Sequence, residues 1–319
     1  MRNALRLCAL LLGLALGAVP RPQLALAAPD SYTDGTQQAV PCGLNAQRIV
    51  SLAPNVTEML FFLGLGSRVV GRSDFCDYPP EAAKLPSVGG FTDTSVEQVV
   101  ALKPDLVVAY QGNSLELVGE LRQAGLTVLA FKEAATLDEV ARQMEALWHV
   151  AAAPGKAVPG ELSLWEMRLG KETIKSYPNA KAYFKFFFGY PGDTAYSAAP
   201  GSFIDDLLRR AGAANVVTDP KDRWPRVGAE FIVAAQPDWI LTATSCTAKE
   251  DAKAKQDELL KSLQADPVWS KLPAVQKGQV VVLDSDVLLR PGPRLLDALT
   301  QLNAVLTKSV IDSLVRKAS

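Results

Sequence analysis

The sequence predicts an α/β protein of two lobes with mostly parallel sheets, joined by a single long rigid helix. Three observations carry that prediction. Short apolar runs that read as strands alternate with stretches of helical periodicity, the pattern of a parallel sheet covered on its faces. A phrase recurs: EQVVALKPDLVVA at 97–109 and EFIVAAQPDWILT at 230–242 align Glu97 with Glu230, Val100 with Val233, Ala101 with Ala234 and Pro104-Asp105 with Pro237-Asp238. Between the copies, 161–177 holds no Pro and no Gly except Gly170, which reads as a helix of roughly 25 Å at about 1.5 Å per residue. A length of 319 residues suits two lobes better than one core.

The elements follow in order. Arg2 and Arg6 precede the apolar run Leu7 to Val19, and Ala25-Leu26-Ala27 supplies an A-x-A site. This is the layout of a signal peptide over 1–27, cleaved near Ala27 or Ala28. About 13 apolar residues are too few to span the roughly 20-residue hydrocarbon thickness. The mature chain is therefore expected outside the cytoplasm, and Cys8 falls too early to be a lipoprotein cysteine. Residues 28–46 are polar and read as a flexible lead-in.

A first lobe is expected over 47–153. Arg48-Ile-Val-Ser-Leu is a strand, and 53–66 a helix with Glu58 in its first turn and glycines at its stop. Val69-Val70-Gly71 is a second strand. Ser95 caps a helix over 96–102 that Pro104-Asp105 breaks, and Leu106 to Tyr110 is the next strand. Helix 115–124 stops at Gly125, followed by strand 127–131 and helix 137–150. The interlobe helix is placed within 154–178, starting near Pro159, because an interior Pro costs about 3 kcal/mol.

The second lobe, 179–319, repeats the order. Strand 182–188, helix 203–211, Val216-Val217, helix 228–235, strand 239–242, helix 257–264, strand 280–283 and a closing helix 293–311 are expected. Ser51-Leu-Ala-Pro54 and Ser197-Ala-Ala-Pro200, each before a helix, form a second echo.

Composition narrows the function. Hydrophobic residues at 48% and charged residues at 21% are ordinary for a globular chain, and a net charge of −1 without a Lys/Arg stripe excludes nucleic acid as a partner. One His excludes a three-His metal site. No G-x-S-x-G, GxxxxGK[ST] or G-x-G-x-x-G opens a helix after a strand, so no enzyme is predicted. Beyond Cys8 the chain holds Cys42, Cys76 and Cys246, an odd number. A Cys42–Cys76 bridge is one option in an oxidising compartment.

Five stretches in order over 47–310 carry a resemblance: RIVSLAPNVTEMLFFLG, SDFCDYPPEA, VEQVVALKPDLVVA, RWPRVGAEFIVAAQPDWI and DSDVLLRPGPRLLDAL. The chain resembles the periplasmic substrate-binding proteins of ABC importers for cobalamin, siderophores and haem, most closely the vitamin B12-binding members. The resemblance implies two Rossmann-like α/β lobes with a ligand in the cleft between them. It also implies a corrin ring held between aromatic side chains of both lobes. A broad macrocycle fringed by amides suits aromatics with a few polar groups.

The implied ligand contacts are Tyr78 in DYPP, Phe91 in GGFTD, where tryptophan is usual, and Tyr110, where a cobalamin-binding relative carries tryptophan. From the second lobe they are Tyr196 in DTAYSAAP, Trp224 in RWPRV, and Asp286 with Arg290 in DSDVLLR. Each residue type also has a structural use. Tyr78 beside Pro79-Pro80 fits turn packing, and Asp286 and Arg290, four apart, can pair on a surface for about 0–1 kcal/mol. Trp224, in a polar loop, is harder to explain by core packing. Cys76, two residues from Tyr78, leaves three options open: ligand contact, a bridge, or an inert buried thiol. His149 is a chemically apt cobalt ligand, but it sits late in the 137–150 helix, away from the cleft loops, and reads as structural.

The corrinoid, cobalamin or cobinamide, is thereby cargo and not a cofactor. Delivery implies an ABC permease dimer with its ATPase subunits, met by a monomeric periplasmic protein. In cobalamin-binding relatives, glutamates at the positions of Glu97 and Glu230 engage permease arginines. A carboxylate at a helix start is also favourable in itself by about 0.3–1 kcal/mol. Haem is the alternative cargo through Tyr78 or Tyr110, and a ferric siderophore through Arg72, Arg223, Arg226 and Arg290.

Overall fold

The computed structural model describes residues 29–173, 184–188, 194–219, 221–246 and 249–318. The expected export signal and residues 174–178 of the expected interlobe helix lie outside the described residues. Among the described residues, no helix is long and apolar enough to cross a membrane.

In the first lobe, β1 (Ser31–Thr33) and β2 (Ala39–Pro41) form an antiparallel hairpin. Then come β3 (Ile49–Ser51), α1 (Pro54–Phe62), β4 (Val69–Arg72), α2 (Val96–Ala101), β5 (Leu106–Tyr110), α3 (Leu115–Gln123), β6 (Val128–Phe131) and α4 (Leu137–Ala151). The strands pair in the order β4-β3-β5-β6, all parallel, with Ile49 opposite Leu106 and Val107 opposite Val128. β5 and β6 are buried along their whole length, as strands covered on both faces must be. Ser95, Ser114 and Thr136 cap α2, α3 and α4 by accepting from Gln98, Leu117 and Glu139 amides.

α5 (Gly160–Glu172) starts with Pro159 as its capping residue, so the proline stays out of the helix interior. The second lobe contains β7 (Phe184–Phe188), β8 (Thr194–Tyr196), α6 (Phe203–Arg210), β9 (Ala213–Asn215), β10 (Arg226–Gly228), α7 (Ala229–Ala235), β11 (Trp239–Thr244), α8 (Lys249–Ala265), α9 (Pro273–Gln276), β12 (Val280–Asp284), α10 (Ser285–Leu288) and α11 (Leu295–Ala318). Its sheet runs β12-β11-β7-β9, again all parallel, while β8 and β10 form a separate antiparallel pair.

Read by position in each lobe, both sheets have the order second, first, third, fourth. The twin phrases each span a helix and the third strand: α2 into β5, and α7 into β11. The match extends to the backbone. Lys103 and Gln236, each immediately before its proline, both adopt left-handed conformations at φ 47° and 46°. That conformation ends a helix while turning the chain toward the strand.

Several expectations change. Glu58 lies in the second turn of α1, because the helix begins at Pro54, and it is buried. The strand after α6 falls on Ala213–Asn215, just ahead of Val216-Val217, and α8 and α11 run longer than their patterns. The lead-in over 28–46, expected to be flexible, is docked from Ser31 onward. Asp34 is fully buried and accepts from Thr36 Oγ1 at 2.7 Å, the Thr36, Gln38 and Ala130 amides, and Arg122 Nη2 at 2.6 Å. Three-residue strands are too short to show a period, which is why the segment reads as loop.

The lobes are also tied by more than a helix. One apolar core runs through α1, α4, α5, α6 and α11, and Trp165 Nε1 on α5 donates to Pro293 O at 2.7 Å. Asp206 Oδ2 on α6 accepts the Leu137 amide at the start of α4, and Arg210 reaches Asp138 at 2.6 Å. Cys42, Cys76 and Cys246 are free thiols, so no Cys42–Cys76 bridge forms. Cys76 is buried against Ser73 Oγ at 3.1 Å, and burial pushes its thiol pKa up, which makes it the inert option. His149 Nε2 lies 3.7 Å from Glu145 Oε1 on the same helix.

Candidate ligand-binding cleft

Parallel strands release their following loops at one sheet edge, and a crevice forms there. Pro54 and Asn55 follow β3, Phe75 follows β4, Tyr110 and Gln111 close β5, and Glu133 follows β6. With Phe91 they form one wall of a cleft of about 420 Å³. Leu289, Arg290 and Pro291, just after α10, form the opposing wall from the second lobe.

Three expected contacts line this cleft: Phe91, Tyr110 and Arg290. Phe91 is set by close approach to Gly112, where a Cβ would stand 2.2 Å from Phe91 Cε1 and φ is +114°. Asn113 Nδ2 holds the Phe91 carbonyl at 2.9 Å, and Asn113 Oδ1 receives the Tyr110 amide. Tyr110 lines the cleft while its hydroxyl accepts the Ala134 amide at 2.9 Å. Burial, chiefly, raises the Tyr110 pKa, so its phenolate is disfavoured.

The other expected residues stand further out. Trp224 is half-buried; its Nε1 donates to Glu133 Oε2 at 3.0 Å across the lobes, and its ring meets Phe203 edge-on at 5.3 Å. Tyr78 is partly exposed under Arg294, whose guanidinium lies 3.9 Å from the ring centroid. Asp286 reaches the cleft through Arg290, at 2.9 Å. Tyr196 is not brought to the lining. It is 65% exposed on the β8–β10 pair, with Arg226 over its ring at 5.5 Å.

Behind Arg290 lies an ionic cluster that joins the lobes. Glu58 receives Arg294 Nε at 2.9 Å and Nη2 at 2.6 Å, a two-point pairing, and Arg290 Nη1 at 3.4 Å. Arg290 also reaches Asp77 at 2.6 Å, and Arg294 Nη2 donates to Asp286 O at 2.9 Å. Burial lifts the Glu58 carboxyl above its ordinary range, against the pull of the two guanidiniums. For Asp77 burial also acts upward, but the Arg290 bond and charge outweigh it and hold the carboxyl below its ordinary range.

Glu58, Asn55, Phe75, Asp77, Gln111, Glu133 and Arg294 are therefore parts of the site that sequence reasoning did not name. Glu58 had a signal, as the only acidic side chain in an apolar helix, since such a residue requires a partner when buried. Glu133 and Gln111 had none, because their role depends on how β5 and β6 end together. Glu97 and Glu230 are both exposed in the first turns of α2 and α7, and Ser95 Oγ donates to Glu97 Oε2 at 3.0 Å.

Comparison with known proteins follows the same outline. A family model described as periplasmic binding protein matches residues 49–287. The vitamin B12-binding protein of Vibrio cholerae serotype O1 is 32% identical over 257 residues, covering 80% of this chain and 87% of that relative. The crystal structure of the periplasmic vitamin B12-binding protein of Vibrio cholerae superposes with a TM-score of 0.69 at 31% identity, covering 82% of this chain and 97% of that one. The periplasmic haem-binding protein of Roseiflexus in its apo form gives 0.64 at 26% identity, covering 82% and 97%. With one sheet order repeated in two lobes, a cleft between them and these likenesses over most of its length, the chain belongs to the periplasmic binding protein family.

Proposed function

We propose that this protein captures a corrinoid, cobalamin or cobinamide, in the interlobe cleft and delivers it to the permease of an ABC importer. The reading rests first on a cleft lined by Phe91, Phe75 and Tyr110 on one lobe and by Arg290 on the other. Apolar faces suit a macrocycle, and the few polar groups suit its amide fringe. The likeness to the Vibrio cholerae vitamin B12-binding protein points the same way.

Capture is reversible and needs no bond making, so the corrinoid is cargo and the chain has no cofactor or ATP chemistry of its own. The protein works in the periplasm after export, as a monomer. Tyr78, Trp224 and Asp286 complete the contacts around the enclosed part of the cleft, with Tyr196 an outer contact from the β8–β10 pair. Glu97 and Glu230 meet the two permease subunits, whose ATPases drive uptake.

Haem is the second reading, favoured by likeness to the Roseiflexus haem-binding protein. Tyr78 is then the iron ligand, since the Tyr110 hydroxyl is occupied by the Ala134 amide. The deciding experiment titrates the purified mature protein with cobalamin, cobinamide, haemin and a ferric siderophore, followed by calorimetry and visible absorbance. Corrinoid binding with a shifted corrin spectrum is expected; tight haemin binding without corrinoid binding overturns the proposal.

A further inference from the structure

The arginine that lines the cleft is surrounded by carboxyl groups. Arg290 is the cation among the lining residues, and three carboxylates already occupy it: Asp77 at 2.6 Å, Asp286 at 2.9 Å and Glu58 at 3.4 Å. Arg294 is committed to Glu58 and to the Tyr78 ring. The cluster thus sets three carboxyl groups, Glu58, Asp77 and Asp286, against two guanidiniums. On the opposite wall Glu133 is engaged by Trp224 Nε1, with Arg223 at 3.9 Å. Arg72, the neighbouring cation, is turned to the carbonyls of Ser73, Asp74 and Ala83.

An anion arriving in this cleft meets no free guanidinium among the described lining residues. It competes with Asp77 and Asp286 for Arg290 and is brought beside their negative charges in a partly desolvated site. A ligand rich in primary amides faces the opposite situation. Asp77 and Asp286 are both partly exposed and retain acceptor capacity, and amide N–H groups are the donors that fill it.

We propose that Asp77 and Asp286 determine specificity by holding Arg290 away from ligand anions. The cleft thereby selects an amide-fringed macrocycle of neutral or positive charge and rejects one bearing free carboxylates. This deepens the corrinoid reading and rests on it.

The test is calorimetric, on the full mature protein, with three probes: cobinamide, which lacks the phosphate; cobalamin, whose phosphate is offset by its cobalt; and haemin, with two free propionates. Asp77→Asn is compared with the unaltered protein, and Asp286→Asn serves as a second variant. Asp77 is half-exposed, so the first change leaves the fold intact, which circular dichroism checks. The unaltered protein is expected to bind cobinamide at least as tightly as cobalamin and both far more tightly than haemin. Each variant should shift the haemin-to-cobinamide affinity ratio toward haemin by roughly tenfold or more, the scale of one charge-assisted hydrogen bond. Corrinoid binding with that ratio unchanged in both variants overturns the role of the aspartates and leaves the corrinoid reading standing. Preference of the unaltered protein for haemin overturns both.

Discussion

At the residue scale, buried carboxylates carry most of what composition conceals. Asp34 is the clearest. Burial alone would raise its pKa, but the Thr36 hydroxyl and the Gln38, Ala130 and Thr36 amides outweigh burial and hold it below the ordinary 3.8. A depressed folded value means that its stabilisation is fully present above the unfolded pKa. It is lost as pH falls through the folded one. Stability should therefore drop on acidification below about pH 4, and Asp34→Asn should lose about 1–3 kcal/mol at neutral pH while showing a flatter pH slope in that acid window. Urea melts between pH 3 and 7 measure both; equal slopes in the two proteins would show that Asp34 is not the titrating group. In sequence Asp34 is one polar residue among many, and only its five donors distinguish it.

Elements were more legible than residues. Ser95, Ser114 and Thr136 stand where side-chain caps are needed, and β5 and β6 announce themselves as continuous apolar runs. Strand order was not legible, because pairing depends on crossovers that periodicity does not encode. The β1–β2 hairpin escaped for a different reason: its hold comes from hydrogen bonds to β6 and α3 and from Tyr32 meeting Phe131 at 6.0 Å, contacts distant in sequence. The twin phrases yield their own prediction at this scale. Reversing Glu97 and Glu230 together, as Glu97→Lys with Glu230→Lys, should abolish uptake in a reconstituted transporter while leaving the ligand Kd unchanged. Both side chains are exposed at helix starts, so what each change removes locally is a carboxylate's favourable interaction with the helix N-terminus. A weakened Kd instead would assign them a structural role.

At the scale of the whole molecule, two lobes and a cleft follow from the repeat and the resemblance, but the manner of their joining does not. A single helix between the lobes was expected to restrict their relative motion; a shared core also crosses the interface, with polar ties that include Asp206 to the Leu137 amide, Arg210 to Asp138, Trp224 to Glu133, Arg290 to Asp77 and Arg294 to Glu58. Of the ion pairs that cross, Glu58–Arg294 holds the most buried carboxylate, with Glu58 1% exposed. Removing one partner strands a buried charge, so Glu58→Ala should cost about 3–5 kcal/mol, whereas Glu58→Met with Arg294→Met should cost less than either single change. Denaturant melts of the double-mutant cycle decide this; additive losses would mean the two groups act independently. Asp77 and Glu133 were hidden because each finds its partner more than 90 positions away, and the partner of Glu58, though not its need for one, was hidden for the same reason.

The shared strand order has a consequence for assembly. Since α2 and α7 each precede the third strand of an equivalent sheet, the two glutamates occupy corresponding places in two copies of one architecture. A single polypeptide thus offers a pair of like handles, and the proposed permease dimer can grip both with the same surface of each subunit. On the proposed docking, internal duplication would let one asymmetric cargo carrier address a symmetric receiver without a second copy of itself.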